Sequence, residues 1–134
     1  MKKEFLDASL FSKETAGIFE SLRTYQGKFF GLKEHLDRFF ESAKTLGMKV
    51  LVTRSELKKR LEKELQDSGK KEAFIRLTMV DQEIFILVAE RTHPPRIYQE
   101  GVSLKTSTVR RNLSGALFPE AKSTSGCINQ ILAA

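Results

Sequence analysis

From Ile18 to Tyr25 the chain alternates between two sets of side chains. Phe19, Ser21, Arg23 and Tyr25 point one way, and Ile18, Glu20, Leu22 and Thr24 the other, which is the two-residue period of a strand. Gln26-Gly27 reads as a two-residue turn, with Gly27 free to take a positive φ, and Lys28 to Leu32 returns as the second strand of a hairpin. The period then changes. Leu36, Phe39, Phe40, Ala43 and Leu46 fall three or four apart, which predicts a helix over Lys33–Leu46 with Gly47 as its stop. Thr53-Arg54-Ser55-Glu56 matches a capping box, and Leu57, Leu61 and Leu65 follow on one face of a second helix ending near Ser68-Gly69. The Lys58, Lys59, Arg60 and Lys63 cluster reads most simply as the wet face of that helix.

Strand spacing returns over Ala73–Val80 and Glu83–Ala89, joined by a tight turn at Asp81-Gln82. In the first strand Phe74, Arg76 and Thr78 share one face, and Ile75, Leu77 and Met79 the other. The second, Ile84 to Val88, is apolar throughout, which predicts a strand covered on both sides. Thr92-His93-Pro94-Pro95 breaks the pattern. His93 has no histidine, cysteine or carboxylate cluster nearby at ligand spacing, so it reads as a loop residue. Gly101 to Val109 alternates again, and Arg110 to Glu120 is a loop leading to Lys122. Ile128, Ile131 and Leu132 carry helical spacing. Lys122 is therefore expected at a helix entrance, with Ser123, Thr124 and Ser125 offering capping oxygens. The order of elements predicts an α+β fold, a mostly antiparallel sheet with two helices packed on one face. Residues 1–110 form its N-terminal unit, and residues 111–134 a loop with the start of a second.

Composition narrows the function classes. The 134 residues carry 23 Lys and Arg against 17 Asp and Glu, a formal charge of +6. The basic residues are spread along the chain and most of the ten Phe fall inside apolar patterns, unlike a nucleic-acid reader with its charge and stacking rings on one face. The single Cys127 excludes an intrachain disulfide and a multi-cysteine metal site. No apolar run approaches membrane-spanning length, and Met1-Lys2-Lys3-Glu4 leads into no signal-like core, so a cytoplasmic protein is expected.

Four pieces occur in order: Gly17-Ile18-Phe19-Glu20-Ser21-Leu22-Arg23-Thr24-Tyr25; His35 and Arg38 in an H-x-x-R pattern; Phe74-Ile75-Arg76; and Arg111-Asn112 ten residues ahead of Lys122. Together they resemble the N-terminal half of the class IV aminotransferases, the fold-type IV pyridoxal-phosphate enzymes. That family includes branched-chain and D-amino-acid aminotransferases and 4-amino-4-deoxychorismate lyases. The resemblance implies that Lys122 condenses with the aldehyde of pyridoxal 5′-phosphate and later moves a proton at the substrate Cα. It implies that Arg38 binds the cofactor phosphate, for which a planar fork of donors is suited. Read from its residue type alone, Arg38 is an exposed helix arginine lying off the apolar stripe. The resemblance further implies that Phe19, Arg23, Tyr25, Phe74, Arg76 and Arg111 line the substrate pocket. The alternation independently puts Phe19, Arg23 and Tyr25 on one face, and Phe74 with Arg76 on one face. A partly exposed sheet face of mixed polarity is the plain alternative.

The implied activity is transfer of an amino group between an amino acid and a 2-oxo acid, with a lyase of the aminodeoxychorismate kind or a non-catalytic interaction domain as alternatives. A homodimer is the implied assembly. Two positions depart from the branched-chain pattern: Phe74 replaces a tyrosine, and Cys127 stands where another tyrosine is usual. Cys127 is read as a small buried residue. Family members continue into a second domain of comparable size. A chain ending soon after Lys122 is therefore expected to be incomplete, to bind the cofactor weakly, and to turn over little by itself.

Overall fold

A computed structural model describes residues 17–110 and 120–124. The first strand, β1, runs Gly17–Tyr25, and β2 is the short Lys28–Phe30. Gln26 and Gly27 between them both take positive φ, at 51° and 78°, so the turn twists with its strands. β2 is shorter than its sequence predicts. Gly31 is left-handed at φ 62° and caps the following helix, so Leu32 is already helical. That helix, α1, is Leu32–Thr45, closed by Leu46 and by Gly47 at φ 66°. The second helix, α2, is Arg54–Ser68. Its capping box forms as the sequence predicts, the Thr53 amide donating to Glu56 Oε2 and the Glu56 amide to Thr53 Oγ1.

The chain then returns as β3, Ala73–Val80, and β4, Glu83–Glu90, around Asp81 and Gln82 at positive φ. All pairings within the sheet are antiparallel, in the order β2-β1-β3-β4. One face carries Ile18, Leu22, Ile75, Leu77 and Met79, buried beneath Leu36, Phe39 and Ala43 of α1 and Leu57, Leu61 and Leu65 of α2. This is the expected α+β layering.

Three sequence expectations need correction. β4 is not covered on both sides. It is the edge of the sheet, and although Ile84, Ile86 and Val88 pack on the core, Phe85 and Leu87 are 54% and 42% exposed. A run of apolar residues does not itself say which strand will be the last. The second correction is a short helix, α3, Pro95–Glu100, in the segment whose prolines read as a break. Pro95 at its first turn needs no amide partner, so the same residue that ends a strand opens a helical turn. The third is Gly101–Val109, which alternates in sequence but forms no regular structure. Val102 and Leu104 are exposed, so the alternation has no face to bury. Among the described residues no helix is long and apolar enough to cross a membrane.

Candidate functional site

Most of β1 has β3 along one edge, from the Gly17–Val80 pair to the Arg23–Phe74 pair. β2 takes the other edge only from Arg23 onward, which leaves the edge near Phe19 open. The segment around Lys122 fills it. The Phe19 amide donates to the Lys122 carbonyl at 3.0 Å, and the Thr124 amide to the Gly17 carbonyl at 2.8 Å. Ser123 forms a bridge opposite Ile18. The buried Thr124 hydroxyl, one of the capping oxygens that the sequence offers, accepts from the Gly17 amide at 3.1 Å. Lys122 therefore stands at a sheet edge. The helix expected from Ile128, with Cys127, lies outside the described residues. The Lys122 amide is held from the other side by Ser42 of α1, a buried hydroxyl that accepts it at 3.0 Å.

An edge position lets one side chain touch residues of both faces. The Lys122 Nζ lies 5.2 Å from the ring centre of Phe19 on the mixed face and 3.7 Å from Glu20 Oε2 on the helix face. Its side chain is 34% exposed, whereas that of Glu20 is fully buried. Burying a carboxylate is costly unless charge and hydrogen bonds compensate. Here α1 supplies both. Arg38 lays its long edge along the carboxylate, Nε on Oε1 and Nη2 on Oε2, both at 2.5 Å. His35, one turn earlier, brings Nδ1 to 2.7 Å from Oε2. Two lone pairs do not approach so closely, so we assign the proton to Nδ1, donating to the carboxylate. The 3.2 Å approach of Arg38 Nη2 to the same nitrogen is then donor beside donor. Burial alone would raise the Glu20 pKa. The hydrogen bonds from Arg38 and His35, with the charge of Lys122, outweigh it and hold the carboxyl below its ordinary value. The same Glu20 contact raises the Arg38 pKa, so the guanidinium stays charged.

On the mixed face Arg76 lies opposite Ser21 and donates to its hydroxyl at 3.1 Å, while its guanidinium covers the Phe19 ring at 3.5 Å. Phe19 thus carries Arg76 and Lys122 together. Farther along the strand, Arg23, Tyr25 and Phe74 line a hollow of about 310 Å3 with Arg91, His93 and Tyr98. Arg23 is tied to Glu72 at 3.6 Å and donates to the Arg91 carbonyl.

Of the residues singled out from the sequence, Phe19, Arg76 and Lys122 are in contact, and Arg23, Tyr25 and Phe74 share the hollow. Arg38 is on the opposite face and meets Lys122 on Glu20, a carboxylate that both approach. Arg111 lies outside the described residues. Glu20 and His35 are not among the site residues that the sequence singles out, although Glu20 is the one acidic side chain on an otherwise core-facing strand pattern. A charge in that position signals a partner from the covering helix.

A family model described as amino-transferase class IV matches residues 17–134. A putative branched-chain-amino-acid aminotransferase from Methanocaldococcus jannaschii is 30% identical over 131 residues, covering 87% of this chain and 44% of the relative. A putative branched-chain amino acid aminotransferase of known structure from Thermotoga maritima superposes with a TM-score of 0.78 at 30% identity, over 96% of this chain and 46% of that one. The T.th. branched-chain amino acid aminotransferase, solved with pyridoxamine 5′-phosphate, shares the fold with a TM-score of 0.75 at 22% identity, over 99% of this chain and 51% of that chain. The chain thus spans about half the length of the relatives it matches.

Proposed function

The chain belongs to the class IV aminotransferases, and from that premise we propose that its Lys122 and Arg38 hold pyridoxal 5′-phosphate in an enzyme that moves an amino group between an amino acid and a 2-oxo acid. One observation carries the reading. A half-open primary amine and a half-open guanidinium, remote in sequence, meet on the same buried carboxylate oxygen. The donor set suits the group, an amine for an aldehyde and a fixed fork of N–H donors for a phosphate ester. When bound, the cofactor supplies that aldehyde and a pyridine ring able to accept the electron pair released at the substrate Cα.

The chain's own residues would do the rest. Lys122, fixed at its backbone by Phe19 and Ser42, offers its amine as nucleophile and afterwards as proton carrier at the substrate Cα. Arg38 anchors the phosphate end. Arg76 and Arg23 on the mixed face offer charge to a substrate carboxylate, with Phe19, Tyr25 and Phe74 as apolar walls. The exposed apolar side of β4 supports a homodimer as the working assembly.

The test is covalent capture. Protein incubated with pyridoxal phosphate and then borohydride is expected to gain the mass of one reduced adduct at Lys122. The Lys122→Ala variant is expected to gain none. Equal labelling of both would remove Lys122 from the site. Glutamate formed from 2-oxoglutarate and an amino donor would establish transfer, whereas pyruvate released without an acceptor would redirect the activity to elimination.

A further inference from the structure

We propose that Glu20 is a positioning residue, aligning Arg38 through a side-on clamp so that its Nη1 end is left to receive a phosphate ester. The proposal deepens the cofactor reading above and rests on it. Glu20 takes the Arg38 Nε–H and one Nη2–H, both at 2.5 Å, and so fixes the plane of the guanidinium along one edge. Neither proton on Nη1 is used by a partner on Glu20 or His35. The Arg38 side chain is 47% exposed while the carboxylate is fully buried, so the clamped side chain still reaches the surface. His35 donates to the same carboxylate and fixes its rotation. Lys122 stands against Oε2 at 3.7 Å, so the carboxylate sets the guanidinium and the amine at a fixed separation. A free helix arginine would have to lose several rotatable bonds of freedom on binding an anion. A clamped one has lost them on folding.

The clamp requires a carboxylate of this length. In Glu20→Gln one edge atom becomes an NH2, a donor facing the donors of Arg38. In Glu20→Asp the charge stays but the carboxylate is drawn back by one methylene, out of hydrogen-bond reach of Nε and Nη2. A merely structural defect would weaken all ligands alike, so the readout is discrimination. Each protein is titrated with pyridoxal phosphate and with phosphate-free pyridoxal. Wild type is expected to prefer the phosphorylated form. Each variant is expected to lose about tenfold or more of that preference, the scale typical of removing the group that orients a ligand-binding side chain, with pyridoxal affinity within about threefold. An unchanged preference in a folded variant overturns the proposal.

The wild-type chain supplies a second readout that needs neither variant nor cofactor. The 15N–1H signal of Arg38 Nε is expected to exchange with water far more slowly than that of the exposed Arg60. Equal exchange overturns the clamp even if both variants fail to fold. If wild type forms no Lys122 adduct and shows no phosphate preference while Arg38 Nε stays protected, the cofactor reading falls and the clamp remains only a structural ion pair. Adduct and preference in wild type together with full preference in the variants dismiss the positioning role alone.

Discussion

At the scale of single residues, the sheet edge and one carboxylate do most of the organising. Glu20 sits among Ile18, Leu22 and Thr24 on the face that α1 covers, and its charge is tolerable only because Arg38, His35 and Lys122 converge on it. Because its folded pKa lies below the ordinary value, the unfolded chain binds the proton more readily than the folded one. The stabilisation is therefore present above about pH 4.5, the ordinary value, and is lost as pH falls through the lowered one. Acid titration of stability is expected to show a steeper loss below that pH in wild type than in Glu20→Gln. Parallel acid limbs would deny Glu20 that role. Arg38→Ala removes two of the hydrogen bonds to the buried carboxylate and leaves it to His35 and Lys122, and is expected to cost about 1–3 kcal/mol in urea unfolding. In whatever fraction folds, pyridoxal phosphate should weaken far more than phosphate-free pyridoxal. Little of this cluster is legible in the chain. Glu20 is 15 and 18 residues from its two α1 partners, and alternation gives only the face of a residue, not what comes to meet it.

At the scale of elements, local patterns transfer well wherever a side chain's position is decided by its own turn or strand. The capping box at Thr53, the leucine stripe of α2 and both two-residue turns are of that kind. Expectations fail where the outcome depends on a distant neighbour. β4 carries a buried strand's composition at the sheet edge, and the bridging of the Lys122 segment to β1 has no signal in its own sequence. Gly17 shows the same dependence from the opposite side. Its place opposite Val80 brings it so near β3 that an added Cβ would stand 2.7 Å from the Met79 carbonyl and 2.8 Å from a Val80 methyl. The carbonyl cannot yield without opening the β1–β3 pairing, and Gly17 also carries both of its backbone contacts to Thr124. Gly17→Ala is expected to destabilise the fold by about 1–3 kcal/mol, the usual range for overpacking. Borohydride labelling of Lys122 should fall in the same variant, because the strand edge that holds its backbone is displaced. Stability equal to wild type would mean that the close approach relaxes at no cost.

At the scale of the whole molecule, charge and apolar surface act in opposite directions. The chain carries a formal +6, which keeps copies apart at low ionic strength. Among the described residues the sheet has one face under helices and another on which Phe85 and Leu87 stand exposed at the edge strand. An edge strand of this kind, with no neighbour on its outer side among the described residues, offers backbone groups next to apolar side chains, and both favour association with another chain. Salt decides between the two tendencies. Raising the ionic strength shortens the range of repulsion to a few ångströms and leaves the apolar contact intact. Self-association measured by sedimentation velocity is therefore expected to increase with salt. An attraction between opposite charges would show the reverse trend. The double variant Phe85→Ser with Leu87→Thr removes apolar area from the exposed face but leaves Ile84, Ile86 and Val88 on the core, so its melting temperature should change little while the salt-driven association largely disappears. Association that persists unchanged in the double variant would move the contact to another surface and withdraw the support that β4 gives to a dimer.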